Sequence, residues 1–260
     1  MSELIVATIQ TATVWEDIDA NLNLLTQKIA SINTPVDVIV LPELFTTAFT
    51  MNTSLAEKPD GKTMQWMEQM AKQKNAAICG SVMLNTKHND VYNRLIWMNP
   101  NGTYFAYNKH HLFSIGSEHN HYKPGNKQVI INYKNFNIRL LICFDLRFPV
   151  WVRRTTELNY DAIFIVASWP EKRAEHWKIL LQARAIENQC YVVAVNRVGL
   201  DGKGMNHSGN SSIIDPTGTI IYQKSQIEDV AINTLTLENV EQYRAAFPAF
   251  SHADKFTIQL

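Results

Sequence analysis

The stretch Ile-Arg-Leu-Leu-Ile-Cys-Phe-Asp-Leu-Arg-Phe-Pro, residues 138–149, decides how the rest of the chain is read. The apolar run Leu140-Leu141-Ile142 stops at Cys143, and a new amphipathic stretch follows Pro149. This pattern predicts a buried strand that delivers a thiol to a sharp turn before a helix. A side chain there is lifted off the sheet edge and is reachable. The backbone N–H groups that follow lie near a helix N-terminus, where they stabilise a thiolate or an oxyanion. Free cysteines after apolar runs are also common core residues, so this stretch alone leaves Cys143 open between nucleophile and core.

Outward from this turn, strands and helices alternate. Upstream, residues 4–9, 36–41 and 76–82 read as strands, while 18–32 and 63–74 carry apolar residues at helical spacing. Residues 91–98 and 103–108 flank Asn99-Pro100-Asn101-Gly102 and predict a β-hairpin. A polar, histidine-rich loop covers 110–127, and strands over 129–133 and 138–142 pair around Lys134-Asn135. Downstream, 151–159, 175–188 and 237–246 read as helices, and Trp177, Leu180, Leu181 and Ala185 are expected to point inward. Residues 162–167, 191–196, 210–214, 219–223 and 229–235 read as strands. Roughly a dozen strands and about five helices are too many strands for one open sheet and too many helices for a β-sandwich. The expected class is α/β, with two mixed sheets face to face and helices outside each. No repeat or linker divides the 260 residues, so one domain is expected.

Lys+Arg and Asp+Glu balance at 24 each, so no basic excess points to nucleic acid and no acidic tail to a charged partner. No run approaches the roughly 20 apolar residues of a membrane span. Met1-Ser2-Glu3-Leu4-Ile5 leads almost directly into a strand, and no signal peptide is expected. Cys79, Cys143 and Cys190 lack the spacing of a disulfide framework or a zinc knuckle. Free thiols fit the cytoplasm. Cys79 and Cys190 sit inside apolar runs and are expected in the core.

Three predicted strands end on a polar residue: Glu43, Lys109 and Cys143. Sites in α/β sheets form beyond the carboxyl ends of strands. A carboxylate, an ammonium and a thiol converging there have a chemical logic. Glu43 can take the thiol proton and return it to a leaving amine. Cys143 can form a thioester with an acyl substrate. Lys109 can lower the thiol pKa and, with the N–H of Phe144, receive the developing oxyanion. No histidine lies at a comparable strand end to serve as a protease base. His110, His111, His119 and His121 could be metal ligands, but extended chain would turn His110 and His111 apart. A neutral loop packed over the three polar residues is expected, without a metal.

With these residues quoted, the chain resembles the nitrilase superfamily of carbon–nitrogen hydrolases. Leu-Pro-Glu-Leu-Phe at 41–45, Tyr-Asn-Lys-His-His-Leu-Phe at 107–113 and Leu-Ile-Cys-Phe-Asp-Leu-Arg-Phe-Pro at 141–149 match the family's three catalytic motifs in order. The likeness runs from about residue 4 to about residue 235. It implies a Glu43–Lys109–Cys143 triad and a second glutamate, Glu118, that hydrogen-bonds Lys109 and positions the substrate amide. It also implies a four-layer αββα sandwich of the nitrilase type, a chemistry without cofactors, and a homodimer. The helix after Cys143 and the 175–188 helix would form the dimer face, with Trp177 and Arg184 serving either interface or core. The tail, 247–260, would cross to the partner subunit.

Cys-Phe-Asp-Leu-Arg-Phe-Pro-Val-Trp at 143–151, Ala-Ser-Trp-Pro at 167–170 and the Glu118–Gly125 loop are most similar to the bacterial ω-amidase group. That likeness implies a small-molecule amide substrate, 2-oxoglutaramate or 2-oxosuccinamate, cleaved to the 2-oxo acid and ammonia. Such a substrate carries a carboxylate remote from its amide, which calls for a cation. Arg147 is one candidate, with an ion pair to Asp145 as its alternative role. Arg173 and Lys172 are the others, Lys172 more readily as a solvated charge. Trp169 and Phe45 are expected to form an apolar wall, although Phe45 could equally be core. The same triad would serve an N-carbamoyl amino acid or deaminated-glutathione amidohydrolase, and a non-catalytic scaffold is the remaining alternative.

Overall fold

A computed structural model describes residues 2–86 and 90–258. In chain order the first half contains β1 (Glu3–Gln10), α1 (Ile18–Ala30), β2 (Val38–Val40), α2 (Lys62–Lys74), β3 (Ala77–Asn85), β4 (Val91–Met98) and β5 (Tyr104–Asn108). The second half contains β6 (Ile130–Tyr133), β7 (Phe136–Ile142), α3 (Pro149–Val152), β8 (Ala162–Ala167), α4 (Ala174–Asn188) and β9 (Tyr191–Asn196). It continues through β10 (Val198–Leu200), β11 (Asn206–Ile214), β12 (Ile220–Ser225), β13 (Asp229–Thr236) and α5 (Leu237–Ala246).

The strands form two sheets. One has the order β13-β1-β2-β3-β4-β5, the other β10-β11-β9-β8-β7-β6, with β12 paired to β11. Strand alternation explains how the layers stack. Val38, Val40, Cys79, Leu95 and Trp97 point toward the second sheet and share a core with Leu140, Ile142, Phe164 and Ile165. Ile39, Ile78, Ile96 and Met98 point the other way, onto Leu22, Leu25 and Ile29 of α1 and Met67 and Met70 of α2. The methionine stripe of α2 is thus core filler. β8 and β9 are buried along their whole length, as expected of parallel strands covered on both faces. Beyond them Trp177, Leu181 and Ala185 of α4 close the outer layer, and Trp177 Nε1 donates to the Asn210 carbonyl at 2.8 Å. The result is the expected αββα stack.

Sheet direction brings the polar strand ends together. β1, β2 and β3 are parallel, and β4 is antiparallel to both β3 and β5. β5 therefore runs the same way as β2. In the other sheet β7, β8 and β9 are parallel. The carboxyl ends of β2, β5, β7 and β8 open onto one site.

Several local expectations are corrected. The helix over 151–159 is only the single turn Pro149–Val152. Arg154 N–H instead donates to Asn188 Oδ1 at 2.8 Å, and Leu158 N–H to Thr155 Oγ1 at 3.0 Å, so side chains take over the backbone bonds of a helix. The strand over 36–41 shrinks to Val38–Val40, and β10 was not foreseen. Leu180 packs against the main core as expected but stays half-buried. Trp177 and Arg184 face inward, and Arg184 Nη2 donates to the Leu146 carbonyl at 2.7 Å. Within the chain, the Arg154 guanidinium lies 4.0 Å from the Phe250 ring centre and Ile258 packs on the main core.

Candidate active site

Cys143 follows β7 with φ +43°, a conformation that an L side chain adopts only under constraint. The 3₁₀ turn Cys143–Arg147 starts there, so the strand turns sharply at Cys143, which is buried with 8 % of its surface accessible. Asp145 holds the turn. Its Oδ2 accepts the Ile142 N–H at 3.0 Å and the Tyr107 hydroxyl at 2.7 Å. Its Oδ1 accepts the His111 N–H and His111 Nδ1, both at 2.9 Å. Asp145 therefore forms no ion pair with Arg147. The N–H of Phe144 lies in the first turn of the 3₁₀ segment, where N–H groups have no intrahelical acceptor.

Glu43, Lys109 and Glu118 converge beside this turn and are 0 to 1 % accessible. Lys109 Nζ donates to Glu43 Oε1 at 2.8 Å and to both Glu118 oxygens at 3.0 and 2.9 Å. Glu43 Oε2 accepts the Ser168 N–H at 2.7 Å, which ties it to the end of β8. Glu118 Oε2 accepts the Phe113 N–H at 2.6 Å. Asn93 of β4 was not anticipated. Its Nδ2 donates to Glu43 Oε1 at 2.8 Å and to Glu118 Oε1 at 3.3 Å. A signal was present: Asn93 shares a strand face with Leu95 and Trp97, and a polar residue on that core-facing stripe needs a partner. Ser168 gave no such signal, because it contributes a backbone N–H.

The electrostatics correct one expectation. Burial raises the Cys143 thiol well above its ordinary pKa and Glu43 adds to the rise, while Lys109 and the Ser168 backbone pull less strongly the other way. Lys109 does act in the expected direction, but two carboxylates within 3.0 Å largely spend its charge. These surroundings favour the neutral form of the Cys143 thiol. Burial opposes the charge on Lys109, yet Glu118 and Glu43 together hold its pKa well above the ordinary value. Glu118 is raised chiefly by burial, against the pull of Lys109 and with a further push from Glu43.

A cavity of about 680 Å³, counting its open mouth, leads to Cys143. Phe144, Ser168, Trp169, Arg147, Arg173 and His207 are among its lining residues. The Arg147 guanidinium lies 4.8 Å from the Trp169 ring centre and Nη2 bonds His176 Nδ1 at 3.0 Å. The Arg173 guanidinium lies 5.2 Å from the Phe113 ring. Burial and then the like charge of Arg173 lower the Arg147 pKa. Neither arginine has a carboxylate partner among the described residues. Phe45 is not part of this wall. It is fully buried against Trp66, on the helix side of its sheet. His110 and His111 do not point apart, because the chain bends there. Their rings meet at 4.5 Å, and they stack on Trp151 and Phe148 at 3.8 and 3.6 Å.

Comparison with known proteins accords with this geometry. The family model described as carbon-nitrogen hydrolase matches residues 5–245. The chain belongs to the carbon–nitrogen hydrolase family. This hydrolase is 42 % identical over 259 residues to the omega-amidase YafV of Escherichia coli (strain K12), covering 99 % of the chain and 100 % of that relative. It is 35 % identical over 222 residues to the 2-oxoglutaramate amidase of Bacillus subtilis (strain 168), covering 84 % and 85 % of the two chains. Among solved structures it is similar to XC1258 of Xanthomonas campestris, a CN-hydrolase superfamily protein described with an arsenic adduct in its active site. That match has a TM-score of 0.97, 38 % identity and full coverage of both chains. Its four layers are those of the nitrilase superfamily, to which the similar Nit3 of Saccharomyces cerevisiae belongs (TM-score 0.86, 24 % identity, 95 % of each chain).

Proposed function

We propose that this hydrolase is an ω-amidase that cleaves the terminal amide of 2-oxoglutaramate, and of 2-oxosuccinamate, to the 2-oxo dicarboxylic acid and ammonia. The observation that carries the reading is the pair Arg147 and Arg173, which line the same cavity as Cys143 and lack ion-pair partners among the described residues. Two like charges kept together without a counter-ion suit a substrate anion. A carboxylate bound there directs the far end of a short chain toward the thiol. The amidases named above are relatives of the right kind.

In this mechanism Glu43 takes the Sγ proton as sulfur bonds to the amide carbon. The carbonyl electron pair moves to oxygen and is met by Lys109 Nζ and the Phe144 N–H. Collapse of the oxyanion breaks the C–N bond, and Glu43 delivers its proton to the nitrogen, which leaves as ammonia. Water then attacks the thioester. Glu43 takes a proton from the water, the C–S bond breaks, and the proton returns to sulfur. A resting neutral thiol fits a base-assisted attack. Glu118 steers Lys109 throughout.

The test is ammonia release from 2-oxoglutaramate, succinamate, N-carbamoyl-β-alanine and deaminated glutathione, with intact-protein mass measured during turnover. Turnover of the first two and an acyl adduct that is absent from Cys143→Ala are expected. Preference for either of the last two would reassign the substrate, and full activity in Cys143→Ala would end the thioester mechanism.

A further inference from the structure

Two carboxylates and one ammonium, all buried, make a set that resists staying fully ionised. Glu43 and Glu118 both touch Lys109 Nζ, and like charges this close favour uptake of a proton by one of them. A proton on Glu43 would remove the base that the reaction needs. The set therefore requires a donor that serves both carboxylates, and among the described residues one side chain does so besides Lys109.

We propose that Asn93 is a positioning residue of the catalytic set, whose single amide NH₂ bridges Glu43 and Glu118 and favours the charged form of the pair. The geometry is specific. Asn93 is fully buried on β4, with Nδ2 2.8 Å from Glu43 Oε1 and 3.3 Å from Glu118 Oε1. Its own carbonyl accepts the Lys109 N–H at 2.9 Å, so the bridging amide and the shared ammonium are fixed to one backbone link. Asn93 Oδ1 has no hydrogen-bond partner among the described residues. The side chain thus leaves an acceptor unused in the core while its NH₂ group reaches two carboxylates. Hydrogen bonds to the charged form of a carboxylate favour that form, which is the effect ascribed to Asn93 here.

The charged or titratable groups around the pair set the sign of the effect. Lys109 favours ionisation of Glu118, and its Nζ also donates to Glu43 Oε1. Cys143 is neutral at rest, and the Tyr122 hydroxyl is turned away to the Thr50 carbonyl at 2.7 Å. Phe113 N–H serves Glu118 alone, and Ser168 N–H serves Glu43 alone. Removing the bridge raises the apparent pKa of the pair. The acid limb of the rate profile then moves to higher pH.

The experiment is the pH dependence of kcat/KM in Asn93→Leu, which keeps the shape, and in Asn93→Ser, which is too short to reach both oxygens. Both variants are expected to move the acid limb upward by about one pH unit, with KM at high pH within about threefold of wild type. The same shift is expected in the pH dependence of Cys143 alkylation by iodoacetamide. That readout needs no substrate, so it stands apart from the proposed ω-amidase activity on which the mechanism rests. A uniform loss of rate at every pH with an unmoved acid limb would show that Asn93 only packs, and would overturn the proposal. If Asn93→Leu does not fold, an unmoved limb in Asn93→Ser is decisive in the same way.

Discussion

Cys143, Glu43 and Lys109 show how little an isolated side chain says about its chemistry. The thiol has a lysine beside it and is still held neutral, because burial and Glu43 outweigh that single cation. Arg147 and Arg173 show the converse. An aromatic ring beside each guanidinium holds it toward the cavity. Arg173→Leu is expected to raise KM for a carboxylate-bearing amide by roughly tenfold or more, the size of a charge-assisted hydrogen bond. Steady-state kinetics should show little change for an uncharged amide of equal length. An equal loss on both substrates would remove Arg173 from recognition of the carboxylate.

The turn after β7 depends on strands that do not precede it. Tyr107 and His111 flank Lys109, and both donate to Asp145 two residues after Cys143. One carboxylate therefore joins the end of β5 to the turn that carries Cys143. Strain at Cys143 of about 1–2 kcal/mol persists only where neighbours over-determine the backbone. Asp145→Asn replaces an acceptor by a donor that faces other donors. It is expected to lower kcat by roughly 100-fold with KM within about threefold, since a misplaced nucleophile slows chemistry more than binding. Circular dichroism would confirm that the variant is folded, and wild-type kcat in a folded variant would dismiss the role.

Over the whole molecule, β13 returns from the second half of the chain to pair with β1 along its full length, from Glu3↔Thr236 to Gln10↔Asp229. The two halves therefore share a sheet as well as a core, and a group in one half can report on the stability of the whole. His207 is such a group. It is 2 % accessible, with Nδ1 donating to the Met205 carbonyl at 3.1 Å, and burial followed by the charge of Arg197 lowers its pKa to about 4. The unfolded chain binds this proton near pH 6.5 and the folded chain resists it, so stability is complete above pH 6.5 and falls between 6.5 and 4. The full loss is on the order of 3 kcal/mol. Urea unfolding at pH 7 and pH 4.5 should show a smaller difference in His207→Gln than in wild type, by about 2 kcal/mol. Equal differences would mean that His207 does not govern acid sensitivity.

Apolar periodicity, turn residues and polar strand ends were enough to read the α/β class, the paired sheets, most strands and the Glu43, Lys109 and Cys143 positions. These features are local, and each follows from the alternation of a strand or the end of an apolar run. Glu118 came through likeness to a family, since nothing in its loop marks it. The rest required the third dimension. The one-turn helix at Pro149–Val152 ends early because Arg154 finds Asn188, 34 residues away. Phe45 left the substrate wall because its strand end packs on Trp66. Asn93 joined the site through hydrogen bonds to residues 50 and 25 positions distant. The net effect of Lys109 on the thiol turned on burial and on the carboxylates around it. Periodicity records which face of an element is apolar. Which distant polar group meets that face is decided only when the sheets stack, because charge and hydrogen bonding act through space.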